Sequence, residues 1–528
     1  MNYFNPYPLC VDDTVTTAWK FQVTQAATTP SLHELLAQRG GELFPRFASA
    51  YTELRALPRG ARRALQRRLA HSRELSATLQ GWLQQQSIRA LQQKLACTLA
   101  GAALLLVLGR GVSDAATITV NTNAPGIVLG DNKCSLIEAI ITANTDANFD
   151  ACVRVGAAGE DTVVLPKKTF TLTKPYDTYY GDPTGLPLIT TKITIEGKGA
   201  KITRSKNAPP SRLMAVGYTG LLELDKVTLS GGISSGYYGG GAIFNYGETT
   251  ITNSTITGNT GYSGGGISNI GTLTLQNRTT ISKNTAKGFS YGGYYYGGEG
   301  GGIVNYLGTL TITNSTITGN TGNSGGAIAN SGSLTLQSST ISKNTAKGFI
   351  YGTSLYGGGG GGILNGNAGT LDISDISTVT ANKAYYGGGI FNSGDGTITD
   401  STISGNTAKL KTIKFKYYGT TYTYFIGGLG GGVNNSGYLT ITNSTISGNS
   451  AKGKIVKRRY YGVPYTYFYA GKGGGIYNSS NLYLYGGKVT GNSATNYGGG
   501  IYNGGTLVNT SNVTGNKAKN CADVYPCL

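Results

Sequence analysis

A right-handed parallel β-helix is the fold this sequence predicts, and three observations lead to it. First, a Gly-Gly-small-apolar-x-Asn motif occurs nine times, anchored on Asn245, Asn269, Asn305, Asn330, Asn365, Asn392, Asn435, Asn478 and Asn503. Second, each copy is followed by a run such as GTLTITNSTISGN, in which Leu or Ile alternates with Thr at the strand period of two. Third, each run ends on another asparagine (259, 284, 320, 344, 382, 406, 449, 492 and 516), always 13 to 17 residues after the first. Strands of three to five residues joined by corners leave too few residues for hairpin turns. A coil of three short strands, repeated at about 24 residues, pairs with the next coil at about 4.8 Å instead. The 83 glycines in 528 residues fit this scheme, because they recur in clusters rather than at every third position as collagen requires. Apolar residues in register with the asparagines argue against disorder. Inward Ile, Leu and Val stack into one core, and the asparagines form amide ladders at corners, where Asn tolerates left-handed backbone. The Gly-Gly-Gly before each apolar residue permits positive φ or close packing at the sharpest corner.

Residues 1–94 come first. They carry 12 Lys or Arg and read as polar helix, so they are either an extended leader, a cytoplasmic anchor segment, or the result of a start site set too early. Residues 95–115 hold the apolar run Leu95–Leu108, preceded by Arg89 and Lys94 and followed by Ser113 and Ala115. That is the layout of a secretory signal with cleavage after Ala115, and the run is short for a membrane span of about 20 residues. Residues 116–230 are expected to form an N-terminal cap with the first coils, residues 231–520 the repeat β-helix, and residues 521–528 a closing loop. Beyond the leader the cysteines form two close pairs, Cys134 with Cys152 and Cys521 with Cys527, as expected for disulfides in an exported chain. Both histidines, His33 and His71, lie in the leader. The expected mature chain therefore has no Ser-His-Asp or Cys-His nucleophilic site, no His-ligated zinc and no His general base.

CSLIEAIITANTDANFDAC (134–152), followed by GEDTVVLPKKTFTLT, resembles the N-terminal module named for its Cys-Ser-Leu-Arg-Glu-Ala motif, with Ile137 in place of the Arg. The repeats GGAIFN, GGGISN and GGGIYN with ITNSTISGN are similar to those of polymorphic outer-membrane proteins and related bacterial β-helix proteins. The resemblance spans residues 131–174 and 240–520, and implies a secreted or surface-exposed bacterial β-helix. Such proteins often end in a membrane β-barrel. Here the chain ends at NCADVYPCL with no run of amphipathic ten-residue strands, so no barrel of its own is expected.

The other half of the unit, from second asparagine to the next first one, runs 10, 21, 10, 21, 10, 29, 29 and 11 residues. All large inserts thus fall at one corner, which on a stacked solenoid is one edge and the expected binding face. GFSYGGYYYGGE (288–299) and GFIYGTSLYGGG (348–359) are short and Tyr-rich. KLKTIKFKYYGTTYTYFIGG (409–428) and KGKIVKRRYYGVPYTYFYAG (452–471) are long near-copies on consecutive coils, each readable as a β-hairpin around YYG. With Lys472 they carry ten cations and no acid, and most of the +13 charge expected for the mature chain. Candidate binding residues are Lys411, Lys414, Lys416, Tyr417, Tyr418, Lys454, Lys457, Arg458, Arg459, Tyr460 and Tyr461. Clustered cations mixed with rings suit anionic polysaccharide, lipopolysaccharide or extracellular DNA. The bland alternatives are packing over the coil and self-association into a fibre.

Parallel β-helices also include polysaccharide lyases and hydrolases. After residue 231 there are seven acids, four of them in two adjacent coils: Asp372, Asp375, Asp395 and Asp400. Asp375 and Asp400 take the place of Asn in ITNST and are expected one coil apart, roughly 5 Å. That spacing allows a calcium site or an acid/base pair, although Asx turns need the same residues. Arg278, the cation in that column, lies three coils from Asp375, about 14 Å away, too far to assist a lyase. The sequence therefore favours an exported, non-enzymatic protein of adhesive or matrix type, with no obligatory cofactor.

Overall fold

Alternation of Thr with Leu or Ile fixes which side of each strand is dry, and the computed structural model displays the consequence as stacked parallel sheets. It describes residues 115–291, 294–351, 354–418, 420–460, 463–518 and 523–525. The leader, nearly all of the 95–115 segment, and Cys521, Cys527 and Tyr461 lie outside the described residues. One coil serves for all. Ile303–Asn305 joins an 11-stranded sheet, Thr309–Thr313 and Thr316–Thr318 join a 23-stranded sheet, and Thr321–Gly322 joins an 8-stranded sheet. Each coil therefore has four strand segments, not three. The extra bend is made by Asn314, whose φ of +48° turns the chain while both neighbouring strands stay in one sheet.

Pairing is in register, so like stacks on like. Leu273, Leu310, Leu334 and Leu371 align, as do Ile267, Ile303, Ile328 and Ile363. These side chains are at most 3% exposed, and each contributes roughly 2 kcal/mol of burial. Glycine is required where the triplet turns. Gly387 has φ +59°, and a Cβ on Gly388 would lie 2.3 Å from the Gly431 carbonyl oxygen.

Both asparagine ladders are continuous. In the first, each Nδ2 from Asn245 to Asn478 donates to the next Oδ1 at 2.7–2.9 Å. In the second, Asn382 shows the pattern. Its Nδ2 donates to Asn406 Oδ1 (3.1 Å) and the Ile341 carbonyl (3.0 Å), while its Oδ1 accepts from Asn344 N (2.9 Å) and Nδ2 (3.0 Å). All four capacities of the buried amide are used, which removes the penalty of burying it. One expectation needs correction. The ladder asparagines are not left-handed; the positive φ belongs to the residue before each second-ladder Asn (Gly319, Lys343, Ala381, Gly405) and to a separate exposed column at Asn253, Asn314, Asp375, Asp400 and Asn443.

A helix, α1 (Leu136–Thr145), starts at Ser135 with a capping box to Glu138 and packs on the first strands. The Cys134–Cys152 disulfide closes the loop around it. Arg154 holds the exit of that loop through Asp161 (2.7 Å) and Asp146 (2.8 Å). At the far end Asp523 Oδ1 accepts from Asn516 N and Nδ2, both at 3.0 Å, and so terminates the second ladder with an acceptor.

Candidate functional site

Between the 8-stranded and 11-stranded sheets the chain leaves the coil at one edge. Four antiparallel hairpins stand there: Phe289–Tyr291 with Tyr294–Tyr296, Phe349–Tyr351 with Ser354–Tyr356, Leu410–Tyr417 with Thr420–Gly427, and Gly453–Tyr460 with Val463–Ala470. A fifth, Asp177–Tyr179 with Asp182–Thr184, leads into the same side of the stack two coils before Asn245. The inserts thus collect on one edge, and the two long ones are hairpins of eight paired positions each.

Alternation within an antiparallel pair tells which residues share a face. In the first long hairpin Lys414, Lys416, Thr421, Thr423 and Phe425 fall on one face, with Lys411, Ile413, Tyr422 and Tyr424 on the other. In the second, Lys454, Val456, Tyr465, Tyr467 and Tyr469 share one face, and Ile455, Lys457, Arg459 and Phe468 share the other. Two ring contacts orient these faces along the helix axis. Phe425 meets Tyr469 at 4.8 Å, so the hairpins face each other, and Phe468 meets Tyr497 of the following coil at 5.7 Å. Arg458 takes the register position opposite Tyr465, Tyr417 that opposite Thr420, and Tyr460 that opposite Val463, while Tyr418 stands exposed at its hairpin tip. Lys409, Lys414, Lys416, Lys452, Lys454, Lys457 and Arg459 are exposed, and no ion pair among the described residues involves them. Lys472 differs: it is half-buried, 3.3 Å from the Tyr502 hydroxyl and 4.6 Å from that ring's centre.

The edge also holds a group that the repeat pattern did not reveal. Rings touch in sequence from the fifth hairpin onward: Tyr180–Tyr238 (5.2 Å), Tyr237–Tyr238 (5.4 Å), Tyr237–Tyr262 (5.8 Å), Tyr262–Phe289 (5.3 Å) and Phe289–Tyr296 (5.9 Å). Tyr237 and Tyr180 are 67% and 50% exposed, so this is an open aromatic run rather than a core. Beneath it Arg212, wholly buried, reaches Asp182 at 2.5 Å and lies 4.9 Å from the Phe244 ring centre. Ser234 donates a short hydrogen bond to the same carboxylate. Burial pulls the Arg212 pKa down, against the pull of Asp182. The pair ties the fifth hairpin to the coil. The doublets DTYYG (177–181) and SGYYGG (235–240) were the available signal, but they lie ahead of or at the margin of the repeat.

The acidic candidates lie elsewhere. Asp375 and Asp400 sit at the exposed left-handed corner on adjacent coils, joined by a hydrogen bond from Ile376 N to the Asp400 carbonyl (3.0 Å). Arg278 is in that column three coils earlier, as expected. Asp372 and Asp395 lie on the sheet face, in a shallow groove with Thr335, Thr397 and Tyr438. They are offset by two residues along paired strands, Asp372 aligning with Thr397 and Asp395 with Thr370. Burial first, and the Asp375 charge second, raise the Asp372 pKa. The four aspartates are not gathered into a calcium cage: among the described residues no cluster of three or more Cys, Asp or Glu is placed to hold a metal. The chain matches no protein family, no curated protein and no solved structure.

Proposed function

We propose that this chain is an exported, non-enzymatic binding protein that holds an anionic polysaccharide or another extracellular polyanion on its hairpin edge, in an adhesive or matrix role. The observation that carries this reading is the set of exposed, acid-free cations on two adjacent hairpins, interleaved with tyrosines. A coil stack held by its own ladders is a rigid mount, and cations there raise the local concentration of an anionic chain before any specific contact forms. The disulfide around α1 supports export to an oxidising compartment. The test is retention of residues 116–528 on an anionic polymer column. Replacing Lys454, Lys457, Arg458 and Arg459 together by Ser is expected to abolish retention with an unchanged circular dichroism spectrum. Unchanged retention would sink the proposal.

A further inference from the structure

The two long hairpins are near-copies, yet their facing walls are not alike. Because Phe425 and Phe468 both contact the element that follows, both hairpins present their faces in the same order along the axis. The gap between them is therefore lined by the later face of the first hairpin and the earlier face of the second. The first wall supplies Lys414 and Lys416 with the hydroxyls of Thr421 and Thr423. The second supplies Lys454 with the rings of Tyr465 and Tyr467, which are 46% and 44% exposed. The walls touch at the base, through Phe425 and Tyr469, and lysines line both of them further out or beside that contact.

We infer that this gap is the binding site proper, and that it takes one strand of an acidic polysaccharide edge-on between the hairpins. This rests on the polyanion reading above and narrows it. Two cationic walls with no carboxylate among the described residues repel one another, and an anionic chain between them turns that repulsion into attraction on both sides. The hairpins rise from consecutive coils about 4.8 Å apart, so the gap is narrow at its base and excludes a double helix. The lining also matches a uronate chain. Tyr465 and Tyr467 offer ring faces to the C–H face of a pyranose, the lysines meet carboxylates, and the threonines meet hydroxyls. Lys411 on the earlier outer face, and Lys457 and Arg459 on the later one, lie outside the gap.

The experiment compares two triple variants that remove equal charge. The inner set is Lys414→Ser, Lys416→Ser and Lys454→Ser; the outer set is Lys411→Ser, Lys457→Ser and Arg459→Ser. Binding of residues 116–528 to polygalacturonate, and to single-stranded and duplex DNA, is measured by titration at low salt. The inner set is expected to weaken polygalacturonate binding about tenfold or more, and the outer set less than about threefold. Tyr465→Ala with Tyr467→Ala is expected to weaken it as well, with no change in net charge. Equal losses for the two sets would overturn the gap and leave the polyanion reading standing. Single-stranded DNA bound more tightly than polygalacturonate through the same inner set would overturn the choice of polysaccharide. If the unmodified protein binds none of these polymers, the polyanion reading itself fails.

Discussion

The ladder half and the hairpin half of each coil are made by the same repeat, yet they respond oppositely to change in length. From first to second asparagine the spacing stays between 13 and 17 residues, while from second to first it ranges from 10 to 29. The difference lies in where hydrogen bonds are closed. On the ladder half, the spacing is confined by amides that each serve two neighbouring coils, as Asn382 serves those of Asn344 and Asn406. On the hairpin half, an insert pairs with itself over eight positions and is tied to the stack near its base, as Lys409 N is to the Ala384 carbonyl. Stability and variability are thus separated onto two sides of one coil, which lets the insert edge diverge without disturbing the stack beneath it.

The comparison is broken most severely by Asn382→Leu. It takes the acceptor from Asn344 N and Nδ2 and the donor from the Ile341 carbonyl. Urea unfolding is expected to show a loss of about 3 kcal/mol or more, from several buried groups left unsatisfied. A smaller effect of opposite sign comes from Ala381→Gly. Ala381 holds φ +56° where other coils use Gly319 or Gly405, so relieving it is expected to add up to about 1 kcal/mol. Smaller still is the stability effect of replacing Lys409–Gly428 by a single Asn, as in the short coil that runs Gly322-Asn323-Ser324. Unfolding is expected to shift by less than about 1 kcal/mol while polyanion retention is lost. A shift as large as that of Asn382→Leu would erase the distinction between the two halves.

The smallest effect concerns pH. Asp372 has a raised folded pKa, so the folded state binds its proton more tightly than the unfolded chain does. Its contribution is therefore present below the unfolded pKa and is lost as pH rises through the folded one. Asp372 is exposed, so water screens the effect: Asp372→Asn is expected to leave stability unchanged in acid and to raise it slightly at neutral pH, seen as a small gap opening between two melting curves.

Most of the fold was legible because the repeat states it nine times. Asn245 and its eight successors, Asn259 and its eight successors, and the corner that accepts inserts all follow from spacing alone. The bend at Asn314 was harder to see, since an Asn in Asn-Ser-Thr resembles the ladder residues while doing different work as a left-handed, exposed corner. The buried serines that follow it also escaped notice, although Ser315 N donates to Ser339 Oγ at 3.1 Å and so adds a further row of cross-coil bonds. Asp523 could not be read as a ladder terminus because nothing near it repeats. The same reason hid the aromatic run: Tyr180 and Tyr238 meet through the coil stack, 58 positions apart in a stretch without periodic spacing. On the basic hairpins, charge and rings were visible in the sequence, but which lysines share a gap depended on the Phe425–Tyr469 contact.

The central claim is that the edge binds polyanions through its hairpins while the stacked core and its ladders hold the fold. Calorimetric titration with polygalacturonate at two salt concentrations tests it most directly, comparing residues 116–528 with the same chain carrying the Asn replacement of Lys409–Gly428. The account predicts binding that weakens steeply with salt in the full chain and is absent in the shortened one, with closely matched melting temperatures. Equal, salt-insensitive binding by both proteins would contradict it.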